Sequence, residues 1–213
     1  MSDGPSTNRT RAPVPFCAVL RSSAAWLWLI VLVACTPTST KAPVAVRGQS
    51  QAARAELVQP PFLGVEQCYN AWDDNDNGLM DEGCSVPQAA VLVMLAWSNQ
   101  DADLDLVVAD PQGEVATPQA PTKSGLATLV DCPEDDECGA QPYEIALVED
   151  DTYVGGHYRV QVLARHFARE ALPIVAQLGI VTPEGTSAYR LEFFDLGQTV
   201  SMDFVVAEPT QIE

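Results

Sequence analysis

The sequence predicts an all-β protein, a jelly-roll-like β-sandwich, from three observations. Short apolar or alternating runs recur from Gln88 to Val206. Turn residues separate many of them, with Gly155-Gly156 and Pro183-Glu184-Gly185 the clearest. No stretch beyond residue 34 repeats its apolar residues convincingly at a helical period.

In chain order, the first element is a targeting segment. Ser22 to Ala34, "SSAAWLWLIVLVA", is a run of 13 mostly apolar residues between Arg21 and Cys35. A positive flank, an apolar run and a small residue before the cut describe a secretory signal. The run is too short to span a bilayer, which takes ~20 apolar residues. Met1 to Arg21 is long for a signal, which points to a start downstream of Met1. The ending Leu32-Val33-Ala34-Cys35 resembles the lipobox of bacterial lipoproteins. That resemblance implies cleavage before Cys35 and lipid on its thiol and amine. One acyl chain anchors weakly and several anchor stably, so the expected partner is a membrane. Thr36 stands after Cys35 where Asp does not, which by the same resemblance implies the outer membrane of a double-membraned bacterium. Residues 35–61 are rich in Pro, Thr, Ala and Gln and read as a flexible tether.

Charge and cysteine then narrow the class. The chain carries a formal charge of −18. Its first 34 residues hold three Arg and one Asp, so the remainder carries −20. Such a body repels nucleic acid and anionic headgroups, and nucleic acid is excluded as a partner. Of six Cys, Cys17 falls in the discarded segment and Cys35 is the lipidation site. Cys68, Cys84, Cys132 and Cys138 remain, an even count that in an exported chain implies two disulfides. Three pairings are possible. Each local pair brackets an acidic loop, which favours Cys68–Cys84 and Cys132–Cys138. Closing a loop of about 15 residues contributes about 3 kcal/mol on the chain-entropy model. The spacings do not match paired C-x-x-C zinc ligands.

Residues 62–87 form a small Cys-bracketed acidic module, and residues 88–213 the sandwich. Strands are expected at Ala89–Trp97, Asp103–Asp110, Ala127–Asp131, Tyr143–Val148, His157–Ala164, Ile174–Thr182, Ser187–Phe194 and Gln198–Val206. Alternation turns Tyr158, Val160 and Val162 inward and Arg159 and Gln161 outward. A single helical turn is the expectation for His166 to Leu172.

Two acidic stretches carry the candidate chemistry. The first, "DDNDNGLMDEGC", packs five carboxylates and two carboxamides into Asp73–Cys84. With Gly78 at position six of a calcium loop, Asp73, Asn75 and Asn77 fall at one, three and five. Leu79 supplies a carbonyl at seven and Asp81 stands at nine. Cys84 occupies position twelve, where a bidentate Glu belongs, and Glu82 is its substitute. With no flanking helix pair, this is not an EF-hand. The segment Glu66–Cys84 resembles the Cys-bracketed metal-binding segments of exported myxobacterial proteins, with Asn77 and the Asn75-Asp76 pair departing from their pattern. Some of those segments are described as copper-binding. Hard oxygen ligands here favour calcium.

The second stretch is "SNQDADLDLVVADPQG". In a strand, Asp101, Asp103 and Asp105 share one face at ~7 Å spacing, and each adjacent pair repels by about 2 kcal/mol at an effective dielectric of ~20. Calcium would remove that repulsion, with Asp131 a further ligand. Trp97, Asp103, Asp105, Pro111, Gly113, Tyr158, Val160 and Val162 match a pattern similar to exported pre-peptidase C-terminal-like β-sandwich domains, over about Val91 to Arg165. That resemblance implies an accessory role. Its Gly-Pro-Glu corresponds only loosely to Gln141-Pro142-Tyr143-Glu144, which weakens Glu144 as a ligand. Trp97 and Tyr158 read as core.

With two His and no nucleophile elbow, zincin helix or phosphate loop, the chain reads as non-catalytic. The functional expectation is a calcium-stabilised binding module on the cell envelope, serving an envelope protein or polysaccharide. The alternative is a hydrolase using clustered carboxylates.

Overall fold

Six strands of one antiparallel sheet and three of a second form a β-sandwich. The computed structural model describes residues 51–132, 138, 141–148, 153–168 and 172–209. These belong to one compact unit, Arg47–Glu213. The signal segment, Cys17, Cys35 and the tether up to residue 50 lie outside the described residues.

The strands are β1 (Arg54–Val58), β2 (Val91–Trp97), β3 (Asp103–Ala109), β4 (Ala127–Val130), β5 (Tyr143–Val148), β6 (Gly156–His166), β7 (Ile174–Thr182), β8 (Gly185–Phe193) and β9 (Thr199–Val206). The large sheet runs β1-β8-β7-β2-β5-β4 and the small one β3-β6-β9. Eight of these strands coincide with the expected runs to within two residues at each end.

Three local expectations need correction. The tether is expected to reach residue 61, but β1 lies inside that range and pairs with β8 from Arg54↔Glu192 to Val58↔Ala188. "RAELV" has few β-formers, and β8 supplies the pairing that propensity does not. His166 ends β6 rather than opening a helical turn, and Phe167 is buried; residues 169–171 of that expected turn lie outside the described residues. Asp101 lies in the turn before β3, where its N–H is held by Asn99 Oδ1, so it does not share the strand face of Asp103 and Asp105.

β2 is buried at every position, on both faces. One face meets the small sheet through Leu104, Leu106 and Val108 of β3 and Tyr158, Val160 and Val162 of β6, all buried. Trp97 is fully enclosed and its Nε1 donates to the Ala102 carbonyl at 2.8 Å. The Tyr158 hydroxyl donates to the Val154 carbonyl, and its ring stacks on Phe204.

The other face of the large sheet is covered by the acidic loop. Met94, Gly179 and Ala188 are cross-strand partners and share that face. A methyl group at Gly179 would overlap the Ala71 carbonyl and the Met80 sulfur, so the loop lies directly on β7. Tyr69 stacks on Tyr143 at 4.8 Å between ring centres, and Gln141 Nε2 donates to the Tyr69 carbonyl. The predicted small module is therefore a lid on the sheet. Both expected disulfides are present, Cys68–Cys84 and Cys132–Cys138.

Candidate functional site

The lid answers the charge crowding of its own sequence with backbone amides. Asp81 is fully enclosed, and its carboxylate accepts the N–H groups of Tyr69, Asn70 and Ala71 at 2.5, 3.4 and 3.1 Å. Tyr69 and Ala71 both have positive φ, 64° and 62°, which turns these N–H groups into one anion-holding concavity. Glu66 does the same from the opposite side, accepting from Asp74, Asn75 and Asp81. Asp73 accepts from Asn77 and Gly78, and Gly78, at φ 86°, makes that tight turn at no steric cost. Asn77 Oδ1 accepts from Leu79, itself 42% exposed. Glu82 Oε1 accepts from both Asn75 and Asn77. Of the residues in the predicted calcium register, the structure thus brings Asn75, Asn77 and Glu82 together. Asp73 and Asp81 are each engaged on their own set of amides.

The second acidic stretch forms a different group. Asp103 and Asp105 are on the outer side of β3, and Asp105 pairs with Arg165 of β6. Asp131 follows β4. These three supply the negative charges felt by Glu144 of β5. Tyr143 faces the lid, so strand alternation turns Glu144 toward the small sheet. There Glu144 Oε2 accepts the Leu106 N–H at 2.5 Å, while Glu144 Oε1 has no hydrogen-bond partner. The residue is 2% exposed. Burial, followed at a distance by the charges of Asp131, Asp105 and Asp103, pushes its carboxyl up to about 10 against the Leu106 amide. The loose family correspondence undervalued this residue. The available signal was a carboxylate at an inward position of an otherwise apolar strand.

Among the described residues, no three His, Cys, Asp or Glu side chains already converge in a metal-holding arrangement. A cleft of about 250 Å³ opens between the lid and the β1–β8 edge, lined in part by Phe62, Trp72, Asp73, Asp76 and Met80.

No family model matches the chain. Comparison with curated proteins and with solved structures likewise finds no match.

Proposed function

We propose that this chain is a lipid-tethered, non-catalytic binding module of the outer membrane whose sandwich is stabilised by calcium. The observation that carries the calcium reading is Glu144: a buried carboxyl with one unpartnered oxygen, which feels the charges of Asp131, Asp105 and Asp103. All four supply hard oxygens, and calcium accepts six to eight of them, waters included, in flexible geometry. Extracellular calcium at millimolar levels suits sites of ~10⁻⁴–10⁻³ M. Glu144 is closed off from any substrate, which supports a structural rather than a hydrolytic use. The lid-edge cleft supports a binding role toward an envelope protein or polysaccharide.

Three measurements test this reading. Thermal unfolding of the mature chain should rise by about 5–10 °C when free calcium exceeds the dissociation constant ~100-fold. Glu144→Gln, or Asp103→Asn with Asp105→Asn, should abolish the part of that rise due to this site. With chelator, the raised Glu144 carboxyl gives a definite sign. Its contribution is full below the unfolded value near 4.5 and is lost as pH rises toward about 10. Wild-type stability should therefore fall between these limits by up to ~1.4 kcal/mol per pH unit, and Glu144→Gln should flatten that fall. An unchanged midpoint with calcium would refute the ion. For the anchor, labelled palmitate should enter the wild-type protein in cells and be absent from Cys35→Ser. Equal labelling of both would refute lipidation at Cys35.

A further inference from the structure

β1 ends the large sheet, and among the described residues its outer side pairs with no strand. A sheet border usually carries a bulge, a Pro or a Lys that discourages pairing with another chain. β1 carries none of these: its register with β8 is continuous over all five residues, and "RAELV" holds no Pro and no Lys. Four of the five are exposed, and Leu57 is 66% exposed. The charges on this border are ordered. Arg54 stands opposite Glu192 and Glu56 opposite Arg190, so the four form a checkerboard of alternating sign on one face. The Arg54 guanidinium is held over the Phe194 ring, 5.6 Å from its centre. With Ala53 and Ala55, the same four residues line an open depression of about 410 Å³. The patch is neutral, on a body with 28 acids and only six Lys or Arg after residue 50. Two such bodies repel, and a charge-balanced border is where they approach at least cost.

We propose that β1 pairs antiparallel with β1 of a second copy, about a two-fold axis at Ala55, joining two large sheets into one. The strand's own sequence selects this occupant. With Ala55 opposite its counterpart, Arg54 falls opposite Glu56 of the second copy, and Glu56 opposite its Arg54. Each row of the checkerboard then continues across the join, as Glu192, Arg54, and the second copy's Glu56 and Arg190. On the opposite face Leu57 meets Ala53 of the second copy, which covers part of its exposed side chain. Moving the axis to Arg54 or to Glu56 sets like charges against each other. β9, which ends the small sheet, offers no such match, because its only charged residue is Asp203. A two-fold contact occupies both borders at once, so it closes as a dimer and does not grow into a fibre.

This inference rests neither on calcium nor on the binding role. Sedimentation of the mature chain, with Cys35→Ser so that neither lipid nor thiol joins two copies, should show a concentration-dependent dimer below about 1 mM. Arg54→Glu and Glu56→Arg each set like charges at both contacts, and each should weaken the dimer about tenfold or more. Mixing the two variants restores opposite charges at both contacts and should restore the dimer in the mixture alone. That recovery also shows that both variants are folded. Under mild oxidation Ala55→Cys should cross-link two copies. Leu57→Cys should not, since position 57 lies about 13 Å along the strand from its counterpart. A chain that stays monomeric, with its own tether or nothing against β1, overturns the proposal. So does a dimer that both charge variants retain, which would place the contact at another border such as β9, and so does a dimer that Leu57→Cys cross-links.

Discussion

Gly179→Ala is expected to destabilise the protein by about 3 kcal/mol or more and to lower its melting midpoint by roughly 10 °C. The added methyl has nowhere to go. It would overlap the Ala71 carbonyl, which is backbone, as well as the Met80 sulfur, which alone could swing aside. Ala71 is itself fixed, because its N–H is committed to Asp81 and its φ is 62°. Lid and sheet must therefore separate locally, exposing Met80 and the apolar face around Met94. Urea unfolding gives the energy. Oxidation of Met80 by dilute peroxide, followed by mass spectrometry, locates it, since Met80 is 2% exposed in the native protein. A variant as stable as wild type, with Met80 equally protected, would show that the lid does not rest on β7.

Asp81→Ala should be nearly as damaging, by at least about 3 kcal/mol, for the opposite reason. It creates no clash but strips the acceptor from three neighbouring backbone N–H groups. Each buried group left without a partner costs ~1–3 kcal/mol. Asp81→Asn should fall between, because one of its two polar atoms is a donor facing donors. Burial pushes the Asp81 carboxyl up to about 6, although the amides of Ala71, Asn70 and Tyr69 pull it down. The sign follows from a folded value above the unfolded one. Its contribution is complete below pH ~4 and lost as pH rises through about 6. Denaturant midpoints between pH 4 and 7 should show this slope in wild type and lose it in Asp81→Asn. A tolerated Asp81→Ala would mean that the amide concavity does not hold the lid together.

The strands were legible because burial on one face imposes a period of two. β6 is the clearest case, with Tyr158, Val160 and Val162 in and Arg159 and Gln161 out. β1 was not legible: "RAELV" is an edge strand held by β8, through pairs from Arg54↔Glu192 to Val58↔Ala188 that no local pattern announces. The lid was legible as a disulfide-closed acidic loop, because spacing and cysteine pairing are local. How its charges are held was not. That depends on Tyr69 and Ala71 adopting a left-handed backbone normally left to Gly or Asn, a choice enforced by the disulfide and by Asp81 rather than by residue type. Asp74 was hidden for the same reason, since adjacent acids in a loop look equivalent until the backbone buries one of them.

The bond from Glu144 to the Leu106 amide has a consequence for self-association. β3 ends the small sheet, and a terminal strand exposes backbone groups that can template pairing with another molecule. A carboxyl group standing on one of those amides occupies a position that such growth needs, and the register shift opposite Asp103/Leu104 leaves Arg165 of the neighbouring β6 as the extra residue. At the far end of the large sheet, β4 is only four residues long and carries an irregularity of its own. At these two borders the ladder open to a neighbouring copy is interrupted, on β3 by the Glu144 carboxyl and on β4 by its bulge, which leaves β1 and β9 as the borders through which a second copy could pair.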